Sequence, residues 1–322
     1  MTTPATTVAA SRPARSARLG RPTRRPSSDK RRQHIAAYVL IAPFFVVFAA
    51  MLVVPLFYSG YLSLFQTKLV GGTSFVGIAN YVRAFTDSQF LGGLGRMGLF
   101  LVIQVPVMVC LALFVALAID SGRARASTGA RLLIFIPYAV PGVVATLLWG
   151  YIYGADFGPI TQLFQFFHIH APNLLSNANV LGSLMNIVTW EFVGYNMIIM
   201  YSALRSIPTE LYEAAEIDGA GQFRIAWSIK IPSIRPAIML TVIFSIIGTF
   251  QLFNEPQLLS SIAPNAISSS YTPNLYAYTL AFVNHDVNYA ATIAFALGFV
   301  IMIISFIVQI AQQRQQRRGA SE

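Results

Sequence analysis

The chain has 322 residues, of which 55% are hydrophobic and only 11% are charged. A soluble globular domain carries about 25% charged residues, so the composition excludes an ordinary soluble protein and indicates one that crosses a membrane several times. The net charge is +10, and the single cysteine, Cys110, excludes both an intramolecular disulfide and a cysteine-based metal site.

The N-terminal segment 1–35 is rich in Pro, Ser and Arg, and we expect a disordered basic tail there. Binding to anionic lipid or nucleic acid is one function of such a tail. We favour a role in setting membrane topology, and we expect lipid but no nucleic acid among the partners. The apolar run after Arg24–Arg25 is too long for the core of a cleaved signal peptide, which indicates a retained anchor.

Six largely apolar runs follow, each long enough to cross ~30 Å of hydrocarbon as a helix. These features predict an all-α polytopic membrane protein with six transmembrane helices. Segment 36–95 would hold the first helix and its outer loop, 96–312 the other five spans, and 313–322 a second tail. The runs cover residues 36–60, 97–119, 132–153, 180–204, 236–256 and 288–310.

The distribution of Lys and Arg predicts the orientation. Of the 22 basic residues, 19 lie in segments 1–35, 120–131, 205–236 and the C-terminal tail, and three lie in the opposite loops: Lys68, Arg83 and Arg96. Positive loops stay in the cytoplasm. Both termini and the 205–236 loop are therefore predicted to be cytoplasmic, which only an even number of spans allows.

The loop 205–236 is too polar and too short to cross the membrane, and it reads as two helices. Ser206 is expected to cap the first helix, with Pro208 in its first turn. Gly219 and Gly221 break it, and the second helix is predicted over about 222–231, with Pro232 as its end.

The second helix of this loop has an amphipathic pattern. One face is formed by residues at spacings of three and four, namely Phe223, Ala226, Trp227 and Lys230. The residues leave two alternatives open with equal weight. The loop is either a protruding knob that docks in a groove of a partner protein or an amphipathic helix that lies on the lipid.

Ionisable residues at membrane depth are candidates for a functional site, because their burial is costly. Glu191 lies within the fourth run and Glu255 at the end of the fifth. Amides and aromatic rings surround them, and this mixture suits hydrogen bonding and stacking to a sugar. Packing roles, and for Glu255 a position at the headgroup boundary, remain alternatives. The substrate-pathway candidates are Trp190, Glu191, Tyr195, Asn196, Gln251, Asn254 and Glu255. His168 and His170 lack a third ligand at suitable spacing, so no metal site is expected.

The hairpin resembles the "EAA" loop of binding-protein-dependent ABC importer permeases, whose pattern is EAAxxDGA followed by IxxP. The matching residues are Glu213, Ala214, Ala215, Asp218, Gly219, Ala220, Ile229 and Pro232. Trp227 stands where the family often has Phe. The segments "FVGIANYVRAF" (75–85), "IPYAVPGVVATLLWGYIY" (136–153) and "SALRSIPTELYEAAEIDGA" (202–220) are similar to the sugar-type permeases. "SSIAPNAISSSYTPN" after residue 259 departs from the T-x-G-G-P turn that is common there.

The resemblance implies a permease subunit of a sugar importer, without catalytic residues, in the bacterial cell membrane. The implied substrate is an oligosaccharide, and the implied partners are a second permease, two cytoplasmic ATPase subunits and an extracytoplasmic sugar-binding protein. ATP and Mg²⁺ would be bound by the ATPases, because no lysine follows a glycine here and a Walker A loop is therefore absent. Coupling to the ATPase is expected from Glu213, Ala214, Ala215, Asp218, Gly219, Phe223, Trp227 and Pro232.

The residues also allow two other functions to be considered. An ion-coupled secondary transporter would use Glu191 as a relay, but the chain shows no inverted repeat and few charges within the spans. A membrane enzyme acting on lipid or sugar phosphate would need acids or histidines clustered in the cytoplasmic loops. Outside the hairpin, those loops have no such cluster.

Overall fold

The computed structural model describes residues 27–68, 70–121 and 127–319. Helices dominate this part of the chain, and its strands form a single two-stranded hairpin. Four helical stretches are long and apolar enough to cross a membrane, and the number rises to six when two bent helix pairs are each taken as one span. The chain divides into two units, one up to Leu56 and one from Phe57 onward.

The first apolar stretch is helical throughout. Helix α1 (Ser27–Phe48) continues through a π-helical turn (Ala49–Val53) into α2 (Val54–Ser63). No side chain between Ala37 and Gly60 is buried within the chain, as expected for a helix whose apolar side chains contact hydrocarbon. Helix α1 begins inside the segment predicted to be a disordered tail, and residues 1–26 of that tail lie outside the described residues.

A β-hairpin follows, formed by β1 (Phe65–Lys68) and β2 (Gly72–Phe75), and it leads into the short helix α3 (Ala79–Ala84). The buried amide of Asn80 donates hydrogen bonds to the carbonyl oxygens of Ser63 at 3.0 Å and Phe65 at 2.8 Å. The asparagine of "FVGIANYVRAF" therefore holds the hairpin against the end of the preceding helix, a role that the sequence did not reveal.

The core of the second unit is built on α4 (Ser88–Asp120) and α8 (Val180–Leu204). Small residues of α4 such as Ala112 and Ala116 allow α8 to approach closely, and both are fully buried. Methionines of α8 fill the space between the two helices, for example Met197 and Met200. The pair forms a rigid frame around which the bent helices are arranged.

The third predicted span is not the continuous helix expected over 132–153. Helix α5 (Ser127–Ala139) ends and α6 (Gly142–Ile152) begins after a bend of 94°. The bend occurs at Pro141. Proline has no N–H to donate and also disfavours helical backbone in the residue before it, so the helix is interrupted there. Segment 132–153 is therefore either a broken span or a re-entrant loop.

The fifth predicted span, 236–256, is shorter than expected, because α12 (Arg235–Phe250) ends at Phe250. The second helical stretch of the hairpin, Gln222–Ser233, meets α12 at 67°. Pro236 lies in the first turn of α12, where its missing N–H costs nothing. Glu255, expected at the end of this span, lies instead in a separate helix, α13 (Asn254–Ile262).

The remaining helices complete the second unit. They are α7 (Pro159–Phe166), α9 (Glu210–Ile217), α10 (Gln222–Ile225), α11 (Ile231–Ser233), α14 (Pro273–Tyr278) and α15 (Val287–Gly319). A π-helical turn, Ala226–Lys230, joins α10 to α11, and another, Thr279–Val283, follows α14.

Asp87, immediately before α4, joins three elements at the start of that helix. Its carboxylate accepts hydrogen bonds from the hydroxyls of Tyr276 and Tyr289, both at 2.8 Å, and caps the backbone N–H of Gln89. Burial raises the pKa of Asp87, but the hydrogen bonds outweigh burial and hold the pKa below its usual value. Ionised Asp87 therefore ties the N-terminus of α4 to α14 and α15.

The contact between α5 and α8 depends on the absence of a side chain at Gly194. A β-carbon there would lie 2.0 Å from the carbonyl oxygen of Ile134, whereas a β-carbon at Gly182 of the same helix would meet nothing within 4 Å. We predict that Gly194→Ala destabilises the protein by about 1–3 kcal/mol or more, as overpacking does, and that Gly182→Ala has little effect. Thermal unfolding in detergent measures both, and equal melting temperatures would contradict this prediction.

Candidate functional site

A cavity of about 260 Å³ lies between α4, α8 and α12, where α12 ends. Cavities beside Trp149 and beside Ala263 are larger, at about 650 and 420 Å³, but predicted pathway residues line the first one, and we call it the main cavity for that reason. Its wall combines aromatic and apolar side chains with hydroxyl, amide and carboxylate groups. Ligand sites in proteins have this composition. The lining residues are Gln104, Met108, Val188, Phe192, Tyr195, Asn196, Phe244, Ser245, Gly248, Thr249, Gln251, Leu252, Phe253, Asn254 and Glu255.

Five of the seven predicted pathway residues meet in this cavity. Tyr195 and Asn196 come from α8, while Gln251, Asn254 and Glu255 come from the break between α12 and α13. These three polar residues are close in sequence and line one wall. The sequence missed Gln104 of α4, which is buried in the same wall and donates a hydrogen bond to the hydroxyl of Thr189 at 3.3 Å.

The other two predicted residues lie elsewhere. Trp190 is two positions from Phe192, which places it about 200° around the α8 axis, and its ring packs edge-on against Trp149 with centroids 5.8 Å apart. Glu191 is buried beside the bend between α5 and α6, with Oε1 3.9 Å from the site of a β-carbon at Gly142. Within the described part of the chain, no group donates a hydrogen bond to that oxygen.

Among the described residues that line the main cavity, Glu255 is the only carboxylate, and neither lysine nor arginine is present. The Glu255 residue is 9% exposed within the chain. Within the described residues, no group of three or more His, Cys, Asp or Glu side chains is placed to hold a metal ion. The chemistry offered by the cavity is therefore hydrogen bonding and ring stacking.

The polar hairpin, α9 to α11, forms a second candidate site. Gly219 ends α9 with φ +81°, a backbone conformation that favours glycine. The N–H of Gly219 donates to Glu216 O and that of Ala220 to Ala215 O, which is the hydrogen-bond pattern of a Schellman motif. The glycine of the EAA pattern thus makes the sharp turn of the hairpin.

Two expectations for the hairpin are wrong. Ser206 does not cap α9; its hydroxyl donates to the Ala203 carbonyl at 2.7 Å, and the residue before α9 is Thr209. The second helix does not stop at Pro232, because helical backbone continues to Ser233. Pro232 lies in the last turn of the helical stretch Gln222–Ser233, just after the π-helical turn, which already interrupts the regular hydrogen-bond pattern.

The hairpin exposes an apolar surface. Phe223 and Trp227 are 82% and 67% exposed, and their rings stack with centroids 6.4 Å apart. Ile217 is 87% exposed beside the turn. Glu213, Ala214 and Asp218 of the EAA pattern are also exposed, and Ala215 is half-buried. Exposed aromatic side chains on a polar segment are typical of an interaction surface.

Lys230 does not share this surface, contrary to the predicted amphipathic face. The π-helical turn Ala226–Lys230 adds a residue to the helical turn and directs Lys230 inward. Its ammonium group binds the carboxylate of Asp120 at 2.5 Å and lies 4.8 Å from the ring centroid of Tyr212. Burial, together with the charge of Asp120, raises the pKa of the Tyr212 phenol, while Arg205 acts in the opposite direction.

Comparison with known proteins identifies the family. Residues 108–320 match the family described as binding-protein-dependent transport system inner membrane component, which is more than half of the chain. The chain belongs to this family. Membership confirms the predictions of a transport component rather than an enzyme and of a multi-pass location in the bacterial inner membrane, and it favours binding-protein-dependent over ion-coupled transport.

Relatives in this family cover nearly the whole chain. The lactose transport system permease protein LacF of Rhizobium radiobacter is 31% identical over 87% of this chain and 95% of its own length. The diacetylchitobiose uptake system permease protein NgcF of Streptomyces coelicolor is 27% identical over 95% of this chain and 90% of its own length. The fold is similar to a chain of a bacterial ABC transporter involved in the import of the acidic polysaccharide alginate, with TM-score 0.79, 17% identity, and coverage of 89% of this chain and 98% of that chain.

Cysteine labelling tests whether water reaches the main cavity. Ser245 lines the cavity, whereas Thr241, one turn earlier on α12, is fully buried outside it. In a Cys110→Ser background, we predict that a small charged methanethiosulfonate modifies the Ser245→Cys variant much faster than the Thr241→Cys variant. The labelling rates are measured by mass shift in both membrane orientations. If the Ser245→Cys variant is labelled as slowly as the Thr241→Cys variant, the cavity is closed to water.

Proposed function

We propose that the chain is one half of the membrane pathway of an ABC importer for neutral oligosaccharides, driven through the hairpin α9–α11. The observation that carries the proposal is the exposed aromatic pair Phe223–Trp227 on a hairpin that matches the EAA pattern and is joined directly to α8 and α12. Such a hairpin presents its aromatic side chains to a groove in a partner.

The proposed topology has six spans with both termini in the cytoplasm. The bent pair α5–α6 counts as one span, whereas of the second bent pair only α12 is assigned to the membrane, because α10 and α11 belong to the hairpin. The 19-to-3 distribution of Lys and Arg supports the orientation. In this topology the hairpin faces the cytoplasm, where ATPase subunits are located.

Two cytoplasmic ATPases are proposed to bind ATP and Mg²⁺, because this chain has no Walker A loop to bind them. Their closure would move the hairpin by contact with Phe223, Trp227 and the exposed EAA residues Glu213, Ala214 and Asp218. Half-buried Ala215, together with Gly219 and Pro232, would keep the hairpin in shape, because a small residue, a turn glycine and a helix-start proline fix its backbone.

A second permease is proposed to complete the pathway. A cavity of about 260 Å³ lies below the range of about 300–1,000 Å³ usual for ligand sites, so it suits part of an oligosaccharide rather than the whole. An extracytoplasmic sugar-binding protein is proposed to deliver the substrate. The proposal is supported by family membership and by a solved alginate transporter of similar fold, which was determined in complex with an alginate pentasaccharide-bound periplasmic protein.

The chemistry of the main cavity supports a neutral substrate. Relatives are named for lactose, diacetylchitobiose and arabino-oligosaccharides. Tyr195 offers a ring for stacking, and Asn196, Gln251 and Asn254 offer amides for hydroxyl groups. Glu255 accepts hydrogen bonds from hydroxyls, and in its ionised form it repels a carboxylate or phosphate, with no lysine or arginine among the described lining residues to offset that repulsion.

The hairpin is tested by removing one exposed ring. We predict that Trp227→Ala reduces ATPase copurification and sugar transport by about tenfold or more, the effect expected of an aromatic interface hot spot. The chain itself should fold normally because Trp227 is exposed. Ser228→Ala, an exposed neighbour on the same turn, is the control and should leave both unchanged. Normal copurification and transport in Trp227→Ala would contradict the coupling role.

Charge selectivity is tested by protection of the Ser245→Cys variant from thiol reagent. A neutral disaccharide should slow labelling of this cysteine. The disaccharide with one sugar replaced by its uronic acid should not slow it. Adding Glu255→Gln removes the negative charge and should let the uronic acid protect, with a gain of about tenfold or more in its apparent affinity. Protection by the uronic acid while Glu255 is present would show that this carboxylate does not select against anions.

A further inference from the structure

The ion pair at the base of the hairpin joins parts of the chain that are far apart in sequence. Lys230 belongs to the hairpin, and Asp120 is the last residue of α4. Their side chains are 7% and 5% exposed, and Nζ lies 2.5 Å from Oδ2. Tyr212 of α9 packs over the ammonium group with its ring centroid at 4.8 Å. One lysine therefore contacts both helices of the hairpin and a third helix.

Local helix energetics do not explain this arrangement. A carboxylate at a helix C-terminus faces the negative end of the helix dipole and is disfavoured, so Asp120 gains its stability from Lys230. Lys230 reaches it through the π-helical turn Ala226–Lys230, and single π-helical turns occur frequently at functional sites.

The pair is also a poor choice for stability alone. Burying two charges requires removing both from water, and well-packed apolar residues often replace such pairs without loss of stability. What a buried pair offers is a fixed position, since breaking it leaves an unpaired buried charge. Lys230–Asp120 thus allows the hairpin only one position against α4.

We propose that the Lys230–Asp120 pair locks the hairpin to α4, so that the two move as one body during the transport cycle. This inference rests on the coupling role proposed above for the hairpin. The chain already connects the hairpin to α8 and α12, and the ion pair adds α4 as a third helix. The other end of α4 is held at Asp87 by Tyr276 and Tyr289, so displacement of the hairpin would reach α14 and α15.

A crosslink that replaces the ion pair tests the lock. The experiment uses the full transporter, with its ATPases, second permease and binding protein, in liposomes and in a Cys110→Ser background. Asp120→Cys with Lys230→Cys should lower sugar transported per ATP by about tenfold, within the usual range of coupling energies. Joining the two cysteines with a short bis-maleimide should restore at least half of the lost coupling. Normal coupling before crosslinking, or a block of transport after it, would overturn the proposal.

Two further variants separate positioning from folding. Asp120→Leu with Lys230→Met keeps the site apolar and filled, and it should assemble at parental levels yet remain uncoupled, with ATP hydrolysis retained. Lys230→Arg keeps the charge and should transport normally. Transport at the parental level by the apolar pair, or failure of both double variants to assemble, would overturn the proposal by giving the ion pair no role or a purely structural one.

The parent protein distinguishes failure of this inference from failure of the proposed function. If the Cys110→Ser transporter itself shows no ATP-dependent sugar uptake, the proposed function fails and this inference fails with it. If the parent is coupled while the variants at 120 and 230 transport like the parent, only the lock between the hairpin and α4 is wrong.

Discussion

The fold depends on how a chain with few charged residues pairs the carboxylates at the two ends of α4. Removing a carboxylate from water is costly unless it is paired, and α4 has half-buried Asp87 just before its first residue and the buried side chain of Asp120 as its last. Asp87 receives hydrogen bonds from Tyr276 and Tyr289, and Asp120 is paired with Lys230. Between these ends the buried side chains of α4 are uncharged and pack mainly against α8. These hydrogen bonds and this ion pair therefore fix the two ends of α4, and packing against α8 fixes the residues between them.

The breaks in the helices are where the polar chemistry lies. A membrane tolerates non-helical backbone only where protein or a water-lined cavity satisfies its polar groups. The bend at Pro141 lies beside the buried Glu191, and the break after α12 supplies Gln251, Asn254 and Glu255 to the main cavity. Gln251, Asn254 and Glu255 are spaced i, i+3 and i+4, so a continuous helix would also place them on one face. What the break adds is that all five consecutive residues 251–255 line the cavity, which one face of a regular helix does not allow.

The sequence predicted what composition and local pattern determine, and it failed where tertiary contact decides. The apolar runs and the glycine turn of the hairpin follow from hydropathy and from the conformational freedom of Gly219. The bend at Pro141 did not follow, because proline is also tolerated inside membrane helices. Lys230 was assigned to the exposed face since a regular helix puts it there, and only contact with Asp120, distant in sequence, reveals the π-helical turn. Trp190 and Tyr195 looked equivalent as aromatic neighbours of Glu191 until the facing helices distinguished the two sides of α8.

The geometry of α12 explains how the two candidate sites would communicate. This helix begins at Arg235, directly after the hairpin, and ends at Phe250, one residue before Gln251 in the wall of the main cavity. Its 16 residues span about 24 Å, and a helix of that length transmits rotation at one end to the other without needing a chain of side-chain contacts. Because the hairpin meets α12 at 67°, movement of the hairpin perpendicular to α12 tilts the helix rather than sliding it. Tilting moves Gln251, Asn254 and Glu255 relative to Tyr195 and Asn196 on α8, which changes the width of the cavity. The Lys230–Asp120 pair would make α4 move together with α12. Two walls of the cavity would then respond to one displacement of the hairpin.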